Sequence, residues 1–141
     1  MRKRKVFPRA AASPRVHSPR LYWRASGAFL AVLAIAGLAL VATGRPRLFA
    51  PLLNFDTVHN GLHVGLAAIA LAIGFAPIPP VSLKRLALGF GIVYLVLAIV
   101  GFLSPTAFGF GARLGLRFEL VENVAHLALG AWGAYVGTHE E

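Results

Sequence analysis

Residues 86–112 read LALGFGIVYLVLAIVGFLSPTAFGFGA, without one Asp, Glu, Lys or Arg. The hydrocarbon core of a bilayer is about 30 Å thick, and a helix rising about 1.5 Å per residue crosses it in roughly 20 residues. The stretches 25–44, 57–83 and 123–139 are equally free of these charges. Proline and glycine punctuate between them, at Gly44-Arg45-Pro46, at Pro77-Ile78-Pro79-Pro80 and at Ser104-Pro105. Proline removes a backbone donor and ends a helix. The pattern predicts an all-α membrane protein, a four-transmembrane-helix bundle with spans at about 25–43, 56–75, 85–103 and 118–137.

Composition agrees with a membrane setting. The 141 residues allow one domain, and 57% are hydrophobic against 13% charged. Mean hydropathy is +0.71, whereas soluble domains carry about a quarter charged residues. Cysteine is absent, which excludes a disulfide framework and thiolate chemistry. A cleaved signal peptide does not fit the first 45 residues, since the basic region and the apolar stretch 25–44 are both too long for one.

The net charge of +9 is unevenly placed. Eight basic residues precede the first span (Arg2, Lys3, Arg4, Lys5, Arg9, Arg15, Arg20 and Arg24), and Lys84 and Arg85 lie between the second and third. Arg45, Arg47, Arg113 and Arg117 fall in the other two loops. Basic residues beside a span hold that end in the cytoplasm. The expected placement is therefore the cell inner membrane, multi-pass, with both termini cytoplasmic. Residues 1–20, broken by Pro8, Pro14 and Pro19, are expected to form a disordered basic tail ahead of a membrane domain at 21–141. That tail could meet anionic lipid headgroups, each nearby Lys or Arg contributing about 1 kcal/mol. No aromatic stacking platform accompanies the charge, so a nucleic-acid partner is not expected. The other expected partners are the lipid bilayer and a second copy of the chain in a homo-oligomer.

A local pattern occurs twice. Residues 55–63 read FDTVHNGLH and residues 118–126 read FELVENVAH, a shared Phe-(Asp/Glu)-x-Val-x-Asn-x-x-His. Upstream, Val32-Leu33-Ala34-Ile35-Ala36-Gly37 matches Val96-Leu97-Ala98-Ile99-Val100-Gly101, and Gly27 aligns with Gly91. Together these imply an internal repeat of two tandem helical hairpins, with pseudo-two-fold symmetry along the membrane normal. The second and fourth spans should then approach each other.

The segments His59-Asn60-x-x-His63-x-x-x-Ala67, Gly89-x-x-x-Val93-Tyr94-Leu95-Val96-Leu97 and Glu122-Asn123-x-x-His126-Leu127-x-Leu129-Gly130 carry a family resemblance. Over about residues 25–137 the chain resembles a bacterial family of small four-helix membrane proteins classed as a domain of unknown function. The resemblance implies four helices and a bacterial membrane, and it brings no activity. Ala67 stands where the family pattern suggests glycine.

Positions i, i+3, i+4 and i+7 share a helix face. Asp56, His59, Asn60 and His63 thus line one side of the second span, and Glu119, Glu122, Asn123 and His126 the matching side of the fourth. Polar groups at such depth turn to the interior of a bundle. The leading expectation is interhelical packing and hydrogen bonding, centred on Asn60, His63, Asn123 and His126 with Asp56, His59, Glu119 and Glu122 at the outer mouth. Asp56, Glu119 and Glu122 suit first helical turns. Gly61-x-x-x-Gly65 and Gly133-x-x-x-Gly137 would let helices approach closely. No cofactor is expected under that reading. One alternative is a metal ion held by His59, His63, Glu122 and His126. Another is haem b ligated by His63 and His126. A transport or proton-relay subunit is a further alternative, although the other halves of the spans carry no ionisable group. Ser26, Ser82 and Ser104 lie away from the His segments, so no hydrolytic triad is available and no enzyme activity is expected.

Overall fold

The computed structural model describes residues 16–50, 52–114 and 116–139. The basic segment 1–15, including most of the lipid-binding tail expected above, lies outside the described residues. The rest is all-helical: α1 Pro19–Ala42, α2 Thr57–Phe75, α3 Pro80–Leu103, α4 Phe110–Arg113 and α5 Leu120–Thr138. A short 3-10 turn, Ala107–Gly109, precedes α4.

This corrects the expected four-transmembrane-helix bundle of two tandem hairpins. The described residues form five helices, and three of them (α1, α2 and α3) are long and apolar enough to cross a membrane. Two physical reasons account for the difference. The segment 104–117 was expected to be plain loop, but it winds into the 3-10 turn and α4, with left-handed backbone at Ala107, Phe108 and Gly109 reversing the chain. Second, α5 is long enough at 19 residues, yet Glu122, Asn123 and His126 in its first turns dilute its hydropathy. An uncharged stretch such as 123–139 is a weaker criterion than the mean hydropathy of the helix that forms, which starts at Leu120 and takes in Glu122.

Helix starts also differ from expectation, for identifiable reasons. α1 begins at Pro19 rather than near residue 25. Ser18 accepts a hydrogen bond from Leu21 N at 3.4 Å, and proline is suited to the first helical position. α3 likewise starts on Pro80. The basic residues of the first two turns of α1 are structural. Arg20 donates from Nη1 to Ala76 O and from Nη2 to Ile78 O, both at 2.9 Å. Arg24 donates from Nε to Gly74 O at 2.9 Å, and its guanidinium lies 4.4 Å from the centre of the Phe75 ring. Together they satisfy carbonyls that the end of α2 leaves free.

α1 packs chiefly on α2 and α3 on α5, with lighter contact from α1 to α3 and α5. Backbones come close where side chains vanish. A Cβ on Gly91 would stand 2.5 Å from Ala134 N and 2.8 Å from Gly133 C, and one on Gly27 would stand 2.9 Å from Leu71 N. Gly133 and Gly137 also pack tightly, as the sequence suggested, whereas Gly61 and Gly65 face open space with nothing within 4 Å.

Two apolar clusters fill the interior. Tyr22, Trp23, Ala70, Leu83, Ala87 and Val136 gather near the α2–α3 turn, and Leu30, Ala67, Tyr94 and Leu129 nearer the middle. Tyr22 donates to Leu129 O at 3.3 Å and Trp23 Nε1 to Leu83 O at 3.2 Å, so both buried aromatics satisfy their polar ends. Ala67 fits this core without needing glycine. The outer faces carry large apolar groups, among them Val32, Ile35, Val93 and Ile99, all more than half exposed. Aqueous proteins rarely show such surfaces; here they lie on the helices long enough to span. His17 and His139 stack at 6.2 Å, and Lys84 Nζ donates to His139 O at 2.9 Å. The described chain ends and the α2–α3 turn therefore share one end of the molecule.

Candidate functional site

At the opposite end α2 and α5 begin, and their first turns bring the doubled motif together. Asp56 caps α2, its carboxylate accepting from His59 N at 2.7 Å. Glu119 and Glu122 form a capping box at the start of α5, in which Glu122 Oε2 accepts from Glu119 N at 3.2 Å. The loop before α2 is tied to the same turn, for Val121 N donates to Leu52 O at 3.2 Å. Asp56 and Glu119 thus stand at the N-caps and Glu122 in the first turn of α5. Their placement fixes the rotation of each helix and so directs the polar face inward.

His59, Asn60 and His63 on α2, and Glu122, Asn123 and His126 on α5, are all at most 7% exposed. The contact between the two helices is His59 Nδ1 to Glu122 Oε1 at 3.2 Å, whereas His59 Nδ1 lies 3.9 Å from the Asp56 carboxylate. The His59 ring centre is 4.6 Å from that of His63 and 6.3 Å from that of His126. Tyr94 meets His126 edge-on at 5.3 Å, and Phe118 lies 6.0 Å from His126 and 6.3 Å from His59. A cavity of about 140 Å³ opens among His59, His63, Tyr94, Leu97, Phe118 and His126.

The two asparagines sit alike. A Cβ on Gly37 would fall on Asn60 Oδ1, and one on Gly101 would fall on Asn123 Oδ1. Each amide therefore occupies the space a missing side chain leaves on the neighbouring helix. Among the described residues Asn60 Nδ2 and Asn123 Oδ1 find no hydrogen-bond partner, and neither do Nδ1 of His59, His63 and His126. The His59–Glu122 approach is accordingly a close polar contact without hydrogen-bond alignment. Among the described residues no group of three or more His, Asp or Glu side chains is placed to hold a metal ion.

The sequence expected Asn60, His63, Asn123 and His126 at the centre, with His59 and Glu122 further out. The structure makes His59–Glu122 the bridge between α2 and α5, while the asparagines turn to α1 and α3. Tyr94 and Phe118, which wall the cavity, were not singled out as site residues. The glycine seats were visible only as members of the upstream match. Glu119 lies at the mouth, where partial burial raises its carboxyl above the usual carboxylate range against the pull of Arg117 and Arg47. Comparison with family models, with curated proteins and with solved structures finds no match for this chain.

Proposed function

We propose that the chain is a non-enzymatic integral protein of the bacterial inner membrane, in which the buried His/Asn/Glu cluster fastens α2 to α5. The observation that carries this reading is the His59–Glu122 contact at 3.2 Å, made by side chains that are 8% and 6% exposed. Those helices share little backbone contact, so side chains must hold them. The end bearing Arg20, Arg24, Lys84 and Arg85 is assigned to the cytoplasm by the positive-inside rule. The recurrence of one seat, Asn60 on Gly37 and Asn123 on Gly101, supports an internal repeat in the sequence.

A double-mutant cycle tests the fastening. His59→Ala and Glu122→Ala, measured singly and together by reversible unfolding in detergent, are expected to couple by about 0.5–3 kcal/mol, as contacting residues do. Strict additivity would refute the contact as a fastener. Reporter fusions at residues 80 and 110 test the orientation, and a cytoplasmic signal at 110 would reverse it.

A second reading has its own support in the three imidazole Nδ1 atoms that lack a protein partner. His59, His63 and His126 with Glu122 are residue types suited to zinc or another first-row ion, but as placed they form no group able to hold one, so this reading requires the side chains to move together on binding. The 140 Å³ cavity favours an ion over haem b, since pockets for drug-sized molecules run to about 300–1,000 Å³. Elemental analysis of purified protein decides this reading. Equimolar metal that disappears in His63→Ala plus His126→Ala supports it, and metal-free protein after growth in zinc-supplemented medium sinks it.

A further inference from the structure

The imidazoles have an edge that the fastening does not use. The cavity of about 140 Å³ beside them lies in a seam. α2 and α3 are joined through the turn at Pro80, yet α2 packs on α1 and α3 on α5, so the two share little backbone contact. Leu62 and Leu66 of α2 and Leu97 of α3 line the cavity, and Leu62 is half exposed on the outer apolar surface. The cavity thus opens sideways, between two of the helices long enough to span. Its inner wall is aromatic. His126 is the hub, with its ring centre 5.3 Å from that of Tyr94, 6.0 Å from Phe118 and 6.3 Å from His59. Tyr94 is 2% exposed, and His63 and His126 are 7% exposed each. The Nδ1 atoms of the three histidines are sealed and closed to any ligand. Nε2 of His63 and His126 and the Tyr94 hydroxyl are not sealed, and among the described residues none of them has a hydrogen-bond partner. A second cavity on the far side of the same three side chains holds only about 40 Å³.

We infer that the larger cavity binds a lipid-borne phenol, a single six-membered ring with its hydroxyl on His126 Nε2 and an alkyl tail leaving through the α2–α3 seam. An apolar cavity of about 150 Å³ holds one benzene ring, and the cavity here is of that size. Aromatic rings favour edge-on or offset neighbours at centre distances of about 4.5–7 Å. A planar ring among Tyr94, Phe118, His59 and His126 gains those contacts, and a flexible acyl chain does not. A hydroxyl both donates and accepts, so it matches an imidazole nitrogen in either tautomer, whereas a carbonyl oxygen requires that nitrogen to carry the proton. The tail would run along Leu62, Leu66 and Leu97 into the surrounding hydrocarbon. Two sources share this chemistry, a simple alkylphenol and the quinol head of a membrane-soluble quinone. Glu122 is not part of the cavity wall, so ring binding stands apart from the His59–Glu122 fastening.

The test uses the full-length protein in detergent micelles, with a chelator present so that no metal ion carries the phenol. Nitrogen NMR of histidine-labelled protein is followed while para-propylphenol or propylbenzene is titrated in. Saturable binding of propylphenol is expected, with the His126 Nε2 resonance shifted and those of His17 and His139 unmoved. Propylbenzene has the same shape without the hydroxyl, and should bind about three- to ten-fold more weakly, the worth of one neutral hydrogen bond. His126→Phe should erase that difference. Leu97→Trp fills the cavity and should abolish saturable binding. Val96→Trp, at the next position on the exposed face of α3, should preserve it. Circular dichroism checks the fold of each variant, and where one does not fold, the His126 shift and the two affinities of the wild type decide. No saturable binding of propylphenol overturns the inference. So does an unmoved His126 resonance, propylbenzene binding as tightly as propylphenol, or a folded Leu97→Trp that binds like wild type. Competition in nanodiscs separates the sources. Displacement of propylphenol by both decylubiquinol and para-nonylphenol admits quinols to the site, and displacement by nonylphenol alone restricts it to alkylphenols. Displacement by neither refutes a tail passing through the seam.

Discussion

Glycine to alanine at two positions should change stability in opposite directions, and the signs follow from what surrounds each Cα. At Gly91 a Cβ would meet Ala134 N at 2.5 Å, Gly133 C at 2.8 Å and Gly130 O at 2.9 Å. All three are backbone atoms of α5, so no side chain can swing aside, and the helices must separate. Overpacking of this kind costs about 1–3 kcal/mol, while alanine in a helix returns up to about 1 kcal/mol over glycine. The net expectation for Gly91→Ala is a loss of up to about 2 kcal/mol. At Gly61 nothing lies within 4 Å, leaving only the propensity gain, so Gly61→Ala should stabilise by about 0.4–1 kcal/mol. Reversible unfolding in mixed micelles, followed by helical circular dichroism, reads both values in one series. If Gly91→Ala stabilises as much as Gly61→Ala, α3 and α5 are not in backbone contact. If Gly61→Ala destabilises as much as Gly91→Ala, the small-residue face of α2 is turned inward, contrary to the packing described.

Other expectations rest on single contacts. Asp56→Ala should remove the cap on His59 N and cost about 1 kcal/mol, with Asp56→Asn retaining most of it; equal losses in both would point to charge rather than capping. Arg20→Leu frees the carbonyls of Ala76 and Ile78, and should raise hydrogen exchange at the α2–α3 turn before it affects the rest of α2. Uniform exchange along α2 would contradict a local clamp. Tyr22→Phe should cost about 0.5–1.5 kcal/mol through the lost bond to Leu129 O, measured in the same micelles, and a stabilised variant would show that this bond is not formed.

Much of the helical plan was legible because charge-free stretches and proline breaks are read residue by residue. The C-terminal end of α2 and the turn at residues 76–79 follow from proline alone. The extent of α1 was less visible, since Arg20 and Arg24 look like topology signals until their distant carbonyl partners are known. α5 was misread because the uncharged stretch 123–139 still contains Asn123 and His126, and the helix that forms also takes in Glu122, all of which lower its hydropathy. At the site, helical spacing correctly grouped His59, Asn60 and His63, and Glu122, Asn123 and His126, on buried faces. Spacing along one helix cannot say which neighbour each side chain meets. Thus the asparagines proved to face glycines on α1 and α3, while the bridge fell to His59 and Glu122. The small-residue rule failed at Gly61 and Gly65 for the same reason: the motif reports that approach is allowed, not that another helix arrives.

The clamp of Arg20 and Arg24 on the end of α2 has a consequence in time. Their acceptors lie 56, 58 and 50 residues later in the chain, so synthesis delivers the guanidinium groups well before the carbonyls exist. While the first helix is entering the bilayer both side chains are free cations, available to set its orientation. Once α2 is complete they become a joint between two helices, and their charge is taken up by backbone oxygens. Under the proposed orientation the same two residues serve first as an address and later as a fastening.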